Sequence, residues 1–196
     1  MNHVKNTLIV ILVLATQSLF AQKEHGEYDR FSDRLFFGGT LGLTIGSRVT
    51  QIDIAPLGGI WVLPQWSVGV GGRYTYRKDR FDMANGSTEP QSTNIWGFSA
   101  FTQIMPIPDF YEAFNVNLHG GIILQGEYEG LYYDRHYFDA TADEGKTWSN
   151  IYLVGGGWKQ WIGRKAAVNF MVLWVITDNS YSPYYSNPIL RFNVTF

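Results

Sequence analysis

The chain has no cysteine in its 196 residues. That absence excludes a disulfide scaffold, a thiolate metal site, a cysteine nucleophile and a lipid-anchored N-terminal cysteine. Charge is scarce too. Asp, Glu, Lys and Arg make up 16% of the residues, against roughly 25% in an ordinary soluble domain. A formal net charge of −2 offers no basic surface for nucleic acid. Long apolar runs are also missing. Ala166 to Ile176, the longest candidate beyond the N-terminal region, is interrupted by Asn169. It is too short for a membrane helix, which needs about 20 apolar residues.

What is present begins with an address. Residues 1–21 combine a short basic start (His3, Lys5), an apolar run from Leu8 to Ala15, and a small residue, Ala21, after Gln17-Ser18-Leu19-Phe20. This pattern predicts a signal peptide cleaved after Ala21. The organisation expected is a signal peptide over 1–21, a periplasmic lead over 22–33 and one barrel domain over 34–196.

The rest of the chain reads in steps of two. Leu35, Phe37, Leu41, Leu43 and Ile45 share one parity, and Phe36, Gly38, Thr40, Gly42, Thr44 and Gly46 share the other. Val116, Leu118, Ile122 and Leu124 alternate with Asn115, Asn117, His119, Gln125 and Glu127. Such a period makes strands with two different faces. Eight strands are predicted, over 34–46, 49–63, 67–77, 94–105, 114–128, 148–160, 166–177 and 188–196. Short turns alternate with longer polar loops (78–93, 129–147 and 178–187), with Ser47-Arg48 as the short exception. That asymmetry is the habit of outer-membrane barrels, and an even strand count puts both termini on the short-turn, periplasmic side.

The polar parity separates a membrane barrel from a soluble one. A water-facing strand carries Lys and Glu; here that parity is mostly Gly, Thr, Ser and Asn. In the central parts of the strands only Asp53, Arg73, Glu127 and Arg191 are charged, and they sum to zero, as an enclosed lumen requires. Sixteen of the 21 glycines fall inside the predicted strands, where they permit tight coiling of a narrow barrel. Aromatic residues gather at strand ends in two belts: Trp61, Trp66, Tyr111, Phe114, Trp158, Trp161 and Phe196 at the short-turn side, and Tyr74, Tyr76, Trp96, Tyr128, Trp148 and Trp174 at the other. Pro56 cannot donate to a ladder and predicts a bulge in the second strand. The fold class expected is an all-β, eight-stranded antiparallel transmembrane β-barrel.

Leu190-Arg-Phe192-Asn-Val194-Thr-Phe196 resembles the terminal strand of bacterial outer-membrane barrels, which ends in an aromatic residue preceded by alternating apolar ones. Ile52-Asp-Ile54-Ala-Pro56-Leu-Gly58-Gly and Val68-Gly-Val70-Gly-Gly-Arg-Tyr74-Thr-Tyr76 resemble the second and third strands of the small eight-stranded outer-membrane protein beta-barrel family. The resemblance covers nearly the whole chain after the signal. It implies an outer-membrane location among lipid and lipopolysaccharide, with Leu190, Phe192, Val194 and Phe196 as a signal to the barrel-assembly machinery. It names no activity, because fold does not imply function.

No catalytic, cofactor or metal constellation emerges from the sequence. The lipid A deacylases resemble this scaffold but place a Ser two residues after a His; His119 is followed by Gly120 and Gly121. The carboxylates of 129–147 (Glu129, Asp134, Asp139, Asp143, Glu144) lack calcium-loop spacing. Asp53, Arg73, Gln103, His119, Glu127 and Arg191 are expected to form a lumen polar network, since eight strands enclose a space that side chains fill. Tyr132, Tyr133, Tyr137, Tyr181, Tyr184 and Tyr185 are expected to present a contact surface on the long loops. The function expected is a non-enzymatic structural or accessory subunit of a larger outer-membrane complex, for secretion or barrel assembly. The alternatives are a lipid-A-modifying enzyme and a narrow channel or adhesin using the tyrosine loops.

Overall fold

A computed structural model describes residues 31–45, 49–82, 88–117, 119–138, 145–162, 166–177, 184 and 187–196. Eight antiparallel strands close into a barrel in sequence order, with the last pairing back to the first. They are β1 (Leu35–Ile45), β2 (Val49–Leu63), β3 (Trp66–Asp82), β4 (Thr88–Ile107), β5 (Gly120–Asp134), β6 (Lys146–Trp161), β7 (Ala167–Val175) and β8 (Ile189–Thr195). A 3-10 turn over Phe31–Arg34 leads into β1. Two short helices, α1 (Phe110–Phe114) and α2 (Arg135–Phe138), flank β5. The predicted signal peptide lies outside the described residues, as does most of the lead.

Three local expectations are corrected. The fifth strand starts at Gly120, not at 114, because Asp109 caps a helix there: its side chain accepts from the Tyr111 amide, and Asn115 ends the turn with a left-handed backbone. The loops at 78–93 and 129–147 are in large part strand, since β3 and β4 stay paired out to Asp82 and Thr88, and β5 and β6 out to Asp134 and Lys146. Pro56 makes no bulge. The β2–β3 ladder skips Ala55 and Pro56, yet Ile54↔Tyr74 and Leu57↔Gly71 keep one register; the shift falls between Trp61 and Leu63.

The two faces of the wall are sorted opposite to those of a water-soluble barrel. Phe37, Leu41, Val70, Trp96, Leu124, Phe170, Leu190 and Phe192 point outward and are exposed. Inward, one side of the lumen is apolar: Ile123, Leu131, Ile151, Leu153, Met171 and Leu173 on β5 to β7 are almost fully buried. The facing side, on β2, β3 and β8, carries charge. At the short-turn end the rings of Phe36 and Phe101 fill the bore, 6.4 Å apart. Glycines make the room: a Cβ on Gly59 would lie 2.3 Å from the Phe36 ring, and one on Gly69 2.3 Å from the Phe101 ring.

Aromatic side chains on the outside form a ribbon across β3 to β6. Tyr74 meets Trp96 at 4.5 Å, Phe98 meets both Tyr128 and Trp148 at 5.9 Å, and Tyr128 meets Tyr152 at 5.3 Å. Trp61 and Trp161 do not join an outer belt. They point into the bore and hold the Lys159 ammonium between them, 4.6 Å from each ring.

The wall has uneven height. Strands β2 to β6 run 15, 17, 20, 15 and 16 residues, whereas β7, β8 and β1 run 9, 7 and 11. The last seam is the weakest. β1 and β8 pair only at Gly38↔Thr195 and Gly39↔Val194, with the Phe37 and Phe196 backbones bonded beside them. Beyond Gly39 the edges of β1 (to Ile45) and β8 (Ile189 to Asn193) have no ladder between them. Every other seam is paired over seven residues or more.

Candidate functional site

The inward parity of five strands builds one chain of polar contacts through the lumen. Gln103 on β4 donates to Gln125 on β5 at 2.6 Å, and Gln125 donates to Glu127 at 2.6 Å. Glu127 accepts from Arg191 on β8. Arg191 also reaches Glu129 at 2.8 Å, and Glu129 takes Arg73 of β3 at 3.2 Å. Arg73 passes on to Asp53 of β2 at 3.1 Å. Asp53 is held further by Thr75 (2.5 Å) and Gln51 (2.7 Å). Gln51 in turn accepts from Arg77, which pairs with Asp79 at 2.8 Å.

Position in the strand explains this convergence. Residues 125, 127 and 129 are successive inward positions of β5, so three polar side chains stack along one line. Residues 51 and 53 do the same on β2, and 73, 75, 77 and 79 on β3. Glu127 and Glu129 are 7% and 3% exposed, so their charges persist only because each carboxylate faces a guanidinium. Among the described inward strand side chains, Asp53, Asp79, Glu127 and Glu129 balance Arg73, Arg77, Lys159 and Arg191.

Five of the six residues expected in the lumen network meet there: Asp53, Arg73, Gln103, Glu127 and Arg191. His119 does not. It precedes β5, its side chain is mostly exposed, and its Nδ1 lies 3.5 Å from Asp109 beside the Tyr111 ring. The alternation from Asn115 to Glu127 begins after α1 and ahead of β5, so parity counted through it misplaces His119. Gln51, Thr75, Arg77, Asp79, Gln125, Glu129 and Tyr184 join the network without having been expected in it. Glu129 continues the odd-numbered series of β5 and was legible by that rule. Tyr184 comes from the segment between β7 and β8; its hydroxyl bonds to Arg73 and donates to Glu129, and its ring lies 5.3 Å from the Arg73 guanidinium.

The expected tyrosine contact surface is corrected by the same geometry. Tyr133 and Tyr137 are buried, Tyr133 edge-on to Phe138 at 5.1 Å, and Tyr184 plugs the lumen. Tyr133 is an odd-numbered, inward position of β5, and packing inward removes these rings from water. Tyr132 faces outward but lies on Trp148 at 5.2 Å. Tyr181 and Tyr185 lie outside the described residues. The assembly-signal positions Leu190, Phe192 and Phe196 point outward and are exposed; Val194 shares their face.

A cavity of about 280 Å³ adjoins the cluster. Asp53, Arg73, Glu127, Glu129 and Arg191 line it together with Thr40, Leu41 and Gly42 of β1 and Leu190 to Asn193 of β8. Among the described residues no three His, Asp or Glu side chains are placed to hold a metal ion. The cluster holds fixed charges and hydrogen bonds, and obstructs the bore at mid-height. A scan against models of known protein families finds no match, and a search of curated proteins finds no similar sequence.

Proposed function

We propose that this chain is an exported, integral outer-membrane barrel with a non-enzymatic role, acting as a structural or accessory subunit of a larger outer-membrane assembly, of the secretion or barrel-assembly kind. The observation that carries the reading is the sorting of side chains: apolar and aromatic residues outside, a paired polar cluster inside. An apolar surface extending around a barrel is far larger than the few hundred Å² that a soluble monomer tolerates, and lipid is the solvent that suits it. The C-terminal strand, with Leu190, Phe192, Val194 and Phe196 on its outer face, supports delivery by the barrel-assembly machinery.

The bore argues against bulk transport, because the chain from Gln103 to Asp79 crosses it. The low side supports the accessory role. A membrane strand needs about 9–11 residues; β8 has seven and β7 nine. A neighbouring protein beside β7, β8 and β1 would cover the notch that the taller strands leave. The test is a mild-detergent pull-down of the tagged protein from its native outer membrane, with mass spectrometry of what co-purifies. A stoichiometric set of larger barrels or lipoproteins supports the role; recovery of the barrel alone overturns it.

A further inference from the structure

The cavity and the weak seam are one feature. Pairing between β1 and β8 ends at Gly39 and Val194. Directly beyond it, both unpaired edges wall the cavity: Thr40, Leu41 and Gly42 on one side, Leu190 to Asn193 on the other. At Gly38 a Cβ would lie 2.1 Å from the Val194 carbonyl oxygen, so the strands touch there. At Gly42 a Cβ would meet Asp53 at 3.1 Å and no β8 atom within 4 Å. The lumen therefore faces the outside sideways, through the wall. The rim of this opening is apolar: Leu41, Leu43, Leu190 and Phe192 stand outward and exposed. Its floor is polar.

The charge of the floor selects a ligand. Three carboxylates (Asp53, Glu127, Glu129) and two guanidiniums (Arg73, Arg191) line the cavity, which leaves one negative charge in excess. Asn193, also in the wall, accepts from Asn169 at 2.6 Å. The surplus carboxylate calls for a donor-rich cation. The volume, about 280 Å³, is at the small end of ligand sites, which run roughly 300–1,000 Å³. It admits a head group and leaves a hydrocarbon tail outside, against the rim.

We propose that the β1–β8 seam is a lateral binding site for a single-chain amphiphile with a protonated amine head. The ammonium sits among Asp53, Glu127 and Glu129, and the tail lies over Leu41, Leu190 and Phe192. Entry from lipid rests on the outer-membrane reading; binding itself does not, and is measured in detergent.

The experiment uses the full mature chain folded in a non-ionic detergent, with dodecylamine and dodecanoate as probes and native mass spectrometry to count adducts. One dodecylamine per barrel is expected, at about tenfold lower concentration than any dodecanoate, the ratio that about 1.4 kcal/mol of discrimination gives. Two variants follow. Thr40→Trp fills the opening and abolishes the adduct. Glu129→Gln removes the surplus charge while Arg73 keeps Asp53 and Arg191 keeps Glu127, and brings the two probes to equal affinity. A boiled-versus-unboiled gel confirms that each variant is folded; should Glu129→Gln not fold, Thr40→Trp decides alone. Equal binding of both probes by the unaltered chain, or an adduct that survives Thr40→Trp, overturns the proposal. A chain that binds neither probe overturns it too.

Discussion

The wall from β2 to β6 and the wall from β7 through β8 to β1 are built from the same alternating code, yet they behave as different structures. The first is tall, fully laddered and tied outside by tilted and edge-on ring contacts from Tyr74 to Tyr152. The second is short, and its last seam is clasped only from Phe37 to Gly39. Its cohesion comes from inside, where Arg191 ties β8 to Glu127 and Glu129 on the opposite wall. Backbone ladders hold the tall side, and buried ion pairs hold the low side against it. A barrel can thus close without completing its hydrogen-bond belt, provided its lumen is a network and not a void.

Amide hydrogen exchange separates the walls by the largest margin. Local opening free energies span from near zero to the global value. The β1 amides beyond Gly39 that face β8, and the β8 amides of 190–193 that face β1, should exchange near the fast limit. The amides between β3 and β4 should exchange near the slow limit. Equal protection of both seams would erase the distinction.

Next in size is Arg73→Ala, which strands Asp53 and Glu129 without their shared partner. Removing one member of a buried ion cluster costs about 3–5 kcal/mol. Urea titration of the folded barrel, read by gel mobility of unboiled samples, should show that loss. A drop below about 1 kcal/mol, the scale of exposed pairs, would mean that the cluster is solvated and does not hold the walls together.

Gly38→Val tests the clasp. Its Cβ has no room beside Val194, and overpacking of this kind costs about 1–3 kcal/mol. The matching change on the tall wall, Gly126→Ala, meets only Thr102 Cγ2 at 3.7 Å. It should stay within about 0.5 kcal/mol. The same titration compares them, and equal effects would mean that the β1–β8 contact is not the vulnerable one.

The sequence carried most of this fold because alternation survives in every strand, and because inward and outward residue types differ so sharply. It misled where alternation continued without a strand. Asn115, Val116 and Asn117 keep a period of two while lying between α1 and β5. The signal against a strand was Asp109 with Glu112 three residues on, a helix-start pattern. Strand length was underestimated because polar residues such as Lys78, Arg80 and Ser92 read as loop, although each is an outward position on a paired strand. The core of the candidate site followed from parity, and Glu129, although it falls in the predicted 129–147 loop, was legible by the same rule. Tyr184 and the open seam did not. The first reaches the cluster by a path that no local pattern encodes, and the second depends on how far two strands at opposite ends of the chain stay in register.

The assignment of an apolar outside to a lipid environment is tested most directly by fractionating native cells and running the protein boiled and unboiled. It should appear in the outer-membrane fraction, resist extraction without detergent, and migrate differently when unboiled because the closed barrel persists. Recovery in the soluble fraction, with identical migration of the two samples, would contradict it.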